Sequence, residues 1–133
     1  MNTFSMKSLV LATGLALLAA PVSAAGISGI FQTAPNDDGN VAQVEFTTCG
    51  EAYCGEMIRS FNFAGKAIAS DNIGKNIVWD MMDQGDGYFK GGRIWDPGKD
   101  KTYKSKMTLM GDMLQVKGCI GPFCKAQTWT RVK

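Results

Sequence analysis

The stretch Tyr88–Val132 reads YFKGGRIWDPGKDKTYKSKMTLMGDMLQVKGCIGPFCKAQTWTRV, and it decides the fold. Clusters of residues that favour turns divide it at three points, which are Asp96-Pro97-Gly98, Gly111-Asp112 and Gly121-Pro122. Between these turns apolar and polar residues alternate with the period of two that is typical of a half-buried strand. Tyr103 and Met107, for example, share one face, whereas Lys104 and Lys106 share the other. The stretch therefore predicts four consecutive antiparallel strands.

Strand patterns continue upstream, over residues 29–33, 41–48, 55–61 and 76–82. Residues 61–75 have no clean period, and we leave their structure unassigned. Seven strand patterns are clear and one is weaker, and no long helical pattern interrupts them. Short strands joined by short turns favour an all-β, up-and-down antiparallel barrel of about eight strands over a sandwich, because closure leaves no exposed edge strand.

The N-terminal residues have the pattern of a signal peptide. Lys7 supplies a positive charge, Leu9–Ala20 is an apolar run too short to cross a membrane as a helix, and Pro21-Val22-Ser23-Ala24 ends in small residues. We therefore predict a signal peptide over 1–24 with cleavage after Ala24, followed by a single domain over 25–133. An uncleaved N-terminal anchor is the alternative. The expected location is periplasmic or secreted, with no membrane span after processing.

The charge balance of the predicted mature chain is nearly neutral. Removing Lys7 from the 14 basic residues leaves 13 against 12 acidic ones, a net charge of +1. Such a balance creates no strong field for nucleic acid or anionic lipid, so neither is predicted as a partner. We interpret the excess lysines as a solvated face, and the sequence does not predict an oligomeric state.

Four cysteines occur in the chain, and they form two pairs with four residues between the partners. An even number in an exported chain indicates disulfides. In a hairpin with a four-residue loop, the two flanking residues would face each other at a separation that a disulfide accepts. We therefore predict Cys49–Cys54 and Cys119–Cys124, with cross-pairing between the hairpins as the alternative. Structural zinc prefers a tighter C-x2-C spacing, so a four-cysteine zinc site fits poorly.

No histidine occurs in the chain. Its absence removes histidine-based acid–base catalysis and histidine-activated nucleophiles, and oxidised cysteines provide no thiolate. The remaining candidate pair is Glu45 and Glu56, which alternation places on the outer faces of neighbouring strands. We interpret both as surface charge. The sequence thus predicts no catalytic residue, and the protein is not expected to be an enzyme.

The sequence also predicts no metal site and no cofactor. Asp96 and Asp100 flank a proline turn, but two carboxylates fall well short of the oxygen ligands that calcium requires. Thioethers can bind copper(I), and Met107, Met110 and Met113 recur every third residue. A turn separates them and no histidine accompanies them. We therefore interpret the methionines as adaptable core filler, with Met110 and Met113 on an apolar rim.

Several motifs together resemble one known family. They are Gly29-x-Phe31, Cys49…Cys54-Gly55, Gly91-Gly92-Arg93-Ile94-Trp95-Asp96-Pro97, Lys101-Thr102-Tyr103, Leu114-Gln115-Val116-Lys117-Gly118 and Gln127-Thr128-Trp129-Thr130-Arg131-Val132. In these residues, and over nearly all of the mature chain, the sequence resembles the exported bacterial family called domain of unknown function 2147. The family has no settled biochemical role. The resemblance implies a small periplasmic protein with a lipocalin-like antiparallel barrel.

The resemblance also implies how the barrel closes. Lipocalins stack an arginine of the last strand over the aromatic residue of a Gly-x-Trp motif, and by similarity we expect Arg131 over Phe31. A frayed C-terminus around Arg131 is the alternative. Two departures from the family pattern are evident, since Phe31 stands in the tryptophan position and only Asp71-Asn72 resembles the usual Asp-x-x-Asn of a longer third connection.

A ligand cavity inside the barrel is the remaining functional hypothesis. Aromatic and flexible apolar walls suit a small hydrophobic or amphipathic ligand. Gly91-Gly92 predicts a bulge, which leaves open whether Phe89 and Trp95 or Ile94 face inward. The residues predicted to line the cavity are Phe31, Phe46, Met57, Trp79, Phe89, Tyr103, Met107, Trp129 and Arg131. An eight-stranded barrel can also be filled by its own side chains, and the alternative function is then a solid structural or interaction module of the cell envelope.

Overall fold

Eight antiparallel strands close into a barrel in which each strand pairs with the next and the last pairs with the first. The computed structural model describes residues 26–133, so the predicted signal peptide lies outside the described residues. The strands are β1 (Gly29–Gln32), β2 (Val41–Cys49), β3 (Ala52–Phe61), β4 (Asn76–Gly85), β5 (Tyr88–Asp96), β6 (Lys101–Met110), β7 (Met113–Ile120) and β8 (Phe123–Arg131). The predicted barrel is confirmed, including its eighth strand.

The alternation of strand direction gives the barrel two different ends. One end, here called the terminal end, carries the short turns 50–51, 86–87 and 111–112 together with the segment 26–28 and the C-terminus. The opposite end, the loop end, carries the connections 33–40, 62–75, 97–100 and 121–122. Residues 62–75 form turns rather than a strand, with one isolated bridge between Phe61 and Ala67.

Two bulges decide which side chains of β4 and β5 face inward. Asp80 has a φ of 58°, so Val78 and Met81 are both buried although three positions separate them. Gly91 has a φ of 83°, and the register shifts beside it between β5 and β6. Because each bulge adds one residue to its strand, simple alternation fails across it.

The bulge at Asp80 places Trp79 on the outer face of β4. It pairs with Arg93 across β4 and β5, is half-buried, and stands outside the cluster of buried core residues. The predicted inward position of Trp79 is therefore wrong. On β5 the bulge brings Phe89 into the core and packs Ile94 against it.

The barrel interior is filled by side chains of the chain itself. Phe31 and Phe46 meet edge to face with ring centroids 5.7 Å apart, and Phe46 and Trp129 lie 6.2 Å apart. Burying each such side chain contributes roughly 1.5–3 kcal/mol. The large side chains with less than 2% of their surface exposed are Trp129, Phe31, Phe46, Phe89, Met81, Met107, Leu114, Val44, Val78 and Val116. Met81 and Met107 thus act as core filler, as predicted.

Both predicted disulfides are present, but the hairpins differ from the expected geometry. Cys49–Cys54 and Cys119–Cys124 are bonded, with Cα atoms 5.9 Å and 4.0 Å apart. Each hairpin has a two-residue turn instead of a four-residue loop. Cys119 lies directly opposite Cys124. Cys49 lies opposite Ala52, so its bond to Cys54 crosses the ladder diagonally.

Candidate functional site at the terminal end of the barrel

Arg131 closes the barrel at the terminal end. It lies opposite Phe31 where β8 meets β1, and its guanidinium carbon is 4.6 Å from the centroid of the Phe31 ring. This is the cation–π contact that the resemblance implies, and such contacts contribute about 0.5–2 kcal/mol depending on desolvation. The backbone around it is held as well, since the Ile30 N–H donates to the Lys133 carbonyl over 2.8 Å. The alternative of a frayed end at Arg131 is not observed.

The remaining donors of Arg131 have one firm and one weak partner. Nη1 donates to the backbone carbonyl of Ser28 over 2.8 Å, which ties the segment 26–28 to β8. Nε lies 3.3 Å from Oδ1 of Asp112, but the Asp112 side chain is 78% exposed. An ion pair so open to water contributes only about 0–1 kcal/mol. A ligand anion would therefore meet little resistance in replacing Asp112.

A cleft of about 470 Å³ opens beside Arg131, and we call it the terminal cleft. It lies between the segment 26–28 and the β2–β3 hairpin. Its wall at Tyr53 is fixed, because that ring meets the buried Phe89 ring edge to face with centroids 5.8 Å apart. The residues that line the cleft are Gly26, Ile27, Ser28, Phe46, Thr47, Thr48, Tyr53 and Arg131.

The lining of the terminal cleft is amphipathic. The half-buried Tyr53 supplies accessible apolar area beside the almost fully buried Ile27 and Phe46, whereas serine and threonine hydroxyls supply hydrogen-bonding groups. Arg131 is the charged group among the lining residues, and none of them is a carboxylate. A small molecule with an apolar body and an anionic head would complement such a surface. Within residues 26–133, no three His, Cys, Asp or Glu side chains come together as a metal site would require.

The structure separates the residues predicted to line a cavity into three groups. Phe46 and Arg131 line the terminal cleft. Tyr103 is half-buried near the loop end, opposite Ile94, and Trp79 lies outside the core cluster. The others are buried and pack against one another in the core, where they are closed to solvent; they are Phe31, Met57, Phe89, Met107 and Trp129.

Most residues of the terminal cleft were missed by the sequence analysis. Alternation along β2 and β3 places Thr48 on the same face as Phe46 and directly opposite Tyr53, so these two were within reach of pattern reasoning. Ile27 and Ser28 carried no such signal. They precede the first strand, and the burial of Ile27 in the core and the bond from Arg131 to Ser28 fix where they lie.

Comparison with known proteins agrees with this architecture. The model of a family described as "Uncharacterized protein conserved in bacteria (DUF2147)" matches residues 29–131. No curated protein matches the sequence. Among solved structures, the chain is similar to protein HP1028 of Helicobacter pylori, which is described as belonging to the lipocalin family. The TM-score is 0.65 at 18% identity, over 83% of this chain and 85% of that one, and likeness at this identity concerns the fold alone.

Proposed function

Because the chain belongs to the DUF2147 family of uncharacterized bacterial proteins and forms a lipocalin-like barrel, we propose that it is an exported, non-catalytic binding protein for a small amphipathic anion. Two disulfides are typical of proteins in an oxidising, extracytoplasmic compartment. The predicted signal peptide, cleaved after Ala24, would deliver the protein to the periplasm or the medium. The ligand site in this proposal is the terminal cleft.

One observation carries the proposal, namely the position of Arg131 at the wall of an amphipathic cleft. Its guanidinium is held by Phe31 and Ser28, and its only salt-bridge partner among the described residues is the exposed Asp112. The ligand's acidic head would replace Asp112, and its apolar part would rest on Tyr53. A volume of about 470 Å³ lies within the range of about 300–1,000 Å³ that small-molecule sites occupy.

The filled interior argues for the cleft over a deeper site. Lipocalin-like barrels with a ligand cavity keep space among their inward side chains. Here Phe46 and its neighbours occupy that space, and none of the large core side chains is open to solvent. A ligand in the barrel centre would have to displace several of them, at a cost of several kcal/mol because close-packed cores have few voids. The cleft requires no such rearrangement.

The residues present also support a role without catalysis. The chain has no histidine, and its four cysteines are joined in disulfides. Glu45 and Glu56 lie directly opposite each other on β2 and β3, and both are exposed. Water surrounds these carboxylates, so they have the surface role expected from the sequence. The proposal therefore involves binding alone.

The test compares a fluorescent fatty acid such as parinaric acid with its uncharged methyl ester. We expect saturable binding of the acid to the disulfide-intact protein, at least about tenfold tighter than the ester, because a hydrogen bond to a charged group contributes about 1.5–3 kcal/mol. Arg131→Gln should remove the difference between acid and ester. Arg59→Gln, which changes an exposed arginine on β3, is the matched control and should preserve it.

Equal binding of acid and ester to the wild type, or an unchanged preference in Arg131→Gln, would overturn the proposal.

The second candidate function is a solid barrel that serves as a structural or interaction module of the cell envelope. The filled interior favours this candidate specifically. Absence of saturable binding of either probe, with both disulfides intact, would select it.

A further inference from the structure

The hairpin turn between β7 and β8 projects two large apolar side chains from the loop end. Ile120 is 68% exposed and Phe123 is 80% exposed, and they lie directly opposite each other across the turn Gly121-Pro122. We call this pair the apolar tip. Exposed apolar side chains that form a contiguous patch commonly mark an interaction site. A lone exposed residue would carry no such meaning.

The apolar tip is held rigidly. Cys119 directly precedes the apolar tip and Cys124 directly follows it. The two cysteines lie opposite each other in the ladder and form a disulfide, with Cα atoms 4.0 Å apart. The register of β7 and β8 is regular from the tip through to Met113 and Thr130. The two side chains are therefore presented by a stapled hairpin, so a partner that binds them does not have to order a loop first.

A cluster of cations lies beside the apolar tip, on the outer side of β5, β6 and β7. Arg93 lies directly opposite Lys104, and Lys106 lies directly opposite Lys117. We call these four residues the basic face. Like charges placed directly opposite each other destabilise a sheet. The chain nevertheless keeps two such pairs on neighbouring ladders, so four cations share one stretch of the outer surface.

The basic face has no internal counterions. Within residues 26–133 the structure holds a single salt bridge, Arg131–Asp112 at the terminal end, so the four cations make none. The two carboxylates of the turn after β5 accept hydrogen bonds from other groups. Asp96 accepts from the Gly98 N–H over 2.9 Å, and Asp100 accepts from the Trp95 indole N–H over 2.9 Å.

The apolar tip and the basic face belong to one surface. A shallow cleft of about 360 Å³ is lined by Arg93 and Lys104 of the basic face and by Ile120 of the apolar tip, so the two adjoin there. Glu45 and Glu56 face each other on β2 and β3, four strands from β6 and β7 in the ring of eight. The exposed Arg59 of β3 offsets part of their charge, and we call this side the acidic wall. The net charge is near zero, but the charges are unevenly distributed between the basic face and the acidic wall.

We propose that this surface docks the protein on a membrane that carries anionic phospholipid headgroups. The apolar tip inserts at the level of the headgroups and upper acyl chains, and the basic face contacts the phosphates. Proteins that lie on membranes combine the same two contributions, buried apolar area and electrostatic attraction to anionic lipid. The acidic wall turns away from the negatively charged surface, so the charge distribution also orients the barrel.

The choice of a membrane over a polyanion in solution follows from the apolar tip. Cations alone would serve either partner equally well. A free phosphate or a polyanionic chain offers nothing to cover Ile120 and Phe123, whereas a lipid interface buries both in a single contact. The inference does not rest on the proposed ligand site, because Arg131 and the terminal cleft lie at the other end of the barrel.

The test is co-sedimentation of the disulfide-intact protein with vesicles of phosphatidylcholine, alone or with about a third phosphatidylglycerol. We expect binding to the anionic vesicles only, with affinity falling as salt is raised. Arg93→Gln with Lys104→Gln should weaken it about tenfold or more, because each basic residue near an anionic surface adds to the attraction. Ile120→Ser with Phe123→Ser should weaken it to a similar extent.

Matched controls separate docking from loss of folding or of general charge. Phe63→Ser changes another residue of the loop end that is 83% exposed, and Arg59→Gln with Lys66→Gln removes two cations elsewhere. Both should bind as the wild type does. Thermal unfolding of all variants checks the fold, and the tip and basic-face residues are exposed or half-buried enough to tolerate replacement.

Three outcomes would overturn the proposal. The first is equal binding to neutral and anionic vesicles, or binding to neither. The second is a pair of results: replacing the apolar tip leaves vesicle binding unchanged, and free glycerol phosphate competes completely. These results would mean that the basic face binds a soluble anion. The third is binding to an anionic polysaccharide column in the absence of vesicle binding. Loss of fatty-acid binding in Arg131→Gln bears on the terminal cleft alone, so the two proposals fail separately.

Discussion

Replacing Phe46 by alanine tests whether the barrel interior is filled. The Phe46 ring is 1% exposed and contacts the rings of Phe31 and Trp129. It also covers Gly55 on β3, where an added Cβ would lie 3.1 Å from a ring carbon. With close neighbours on three strands, the site has little freedom to collapse around a smaller side chain.

We expect Phe46→Ala to lower the free energy of unfolding by about 3–5 kcal/mol, the range measured for Phe→Ala in close-packed cores. In a domain of this size, each kcal/mol of lost stability lowers the melting temperature by about 4–8 °C, so the melting temperature should fall by about 12 °C or more. Urea and thermal unfolding followed by circular dichroism, with both disulfides intact, measure the change.

Phe63→Ala is the matched control for this prediction. Phe63 is 83% exposed in the connection between β3 and β4, so its loss should change stability by no more than about 0.5 kcal/mol. A loss below about 1 kcal/mol for Phe46→Ala would refute the reasoning. It would mean that a void already exists on the core side of Phe46, between the Phe31 and Trp129 rings, and the case for placing the ligand outside the core would fail with it.

Three further predictions concern barrel closure, the β5 bulge and the hairpin staple. Arg131→Gln should lower the free energy of unfolding by about 0.5–2 kcal/mol, because the contact with Phe31 is lost. In a double-mutant cycle the effect of Arg131→Gln should shrink in the Phe31→Leu background, and an equal effect in both backgrounds would contradict a cation–π origin. Gly92→Ala should destabilise the barrel in urea unfolding, because the added Cβ would clash with the backbone carbonyl oxygen of Trp79. Gly98→Ala, where the nearest atom is 3.3 Å away, should have little effect, and equal effects of the two would refute the clash. Replacing Cys119 and Cys124 together by serine should cost about 2 kcal/mol, the chain-entropy value for so small a loop, and a loss near zero in the same assay would contradict it.

The fold could be predicted from the sequence because local signals and barrel closure agree. Alternation, turn residues and the two cysteine pairs each specify the same strands, and the disulfides follow the predicted pairing. The failure at Trp79 has a definite cause. Asp80 adopts a positive φ, which aspartate tolerates but which its presence in a sequence does not predict. The resulting bulge moves Trp79 away from the face that alternation assigns to it.

The candidate sites were less accessible to sequence reasoning for two physical reasons. The first is that the inward face of a strand does not reveal whether the space it faces is empty, and here the large side chains fill it. The second is that net charge averages over the surface. The +1 balance of the predicted mature chain includes both the basic residues at Lys104 and Lys106 and the acidic residues at Glu45 and Glu56, and only the strand order shows that they lie on different sides.

The most direct test of the proposed ligand site is an NMR titration of the disulfide-intact protein with a short-chain fatty acid, observed at backbone amides and methyl groups. We expect progressive shifts at Ile27, Thr48 and Tyr53 around the terminal cleft, with the methyl signals of Met81 and Met107 unchanged in the core. Shifts of the two methionine methyls without shifts at Ile27 and Tyr53 would contradict it. Such a result would place the ligand inside the barrel.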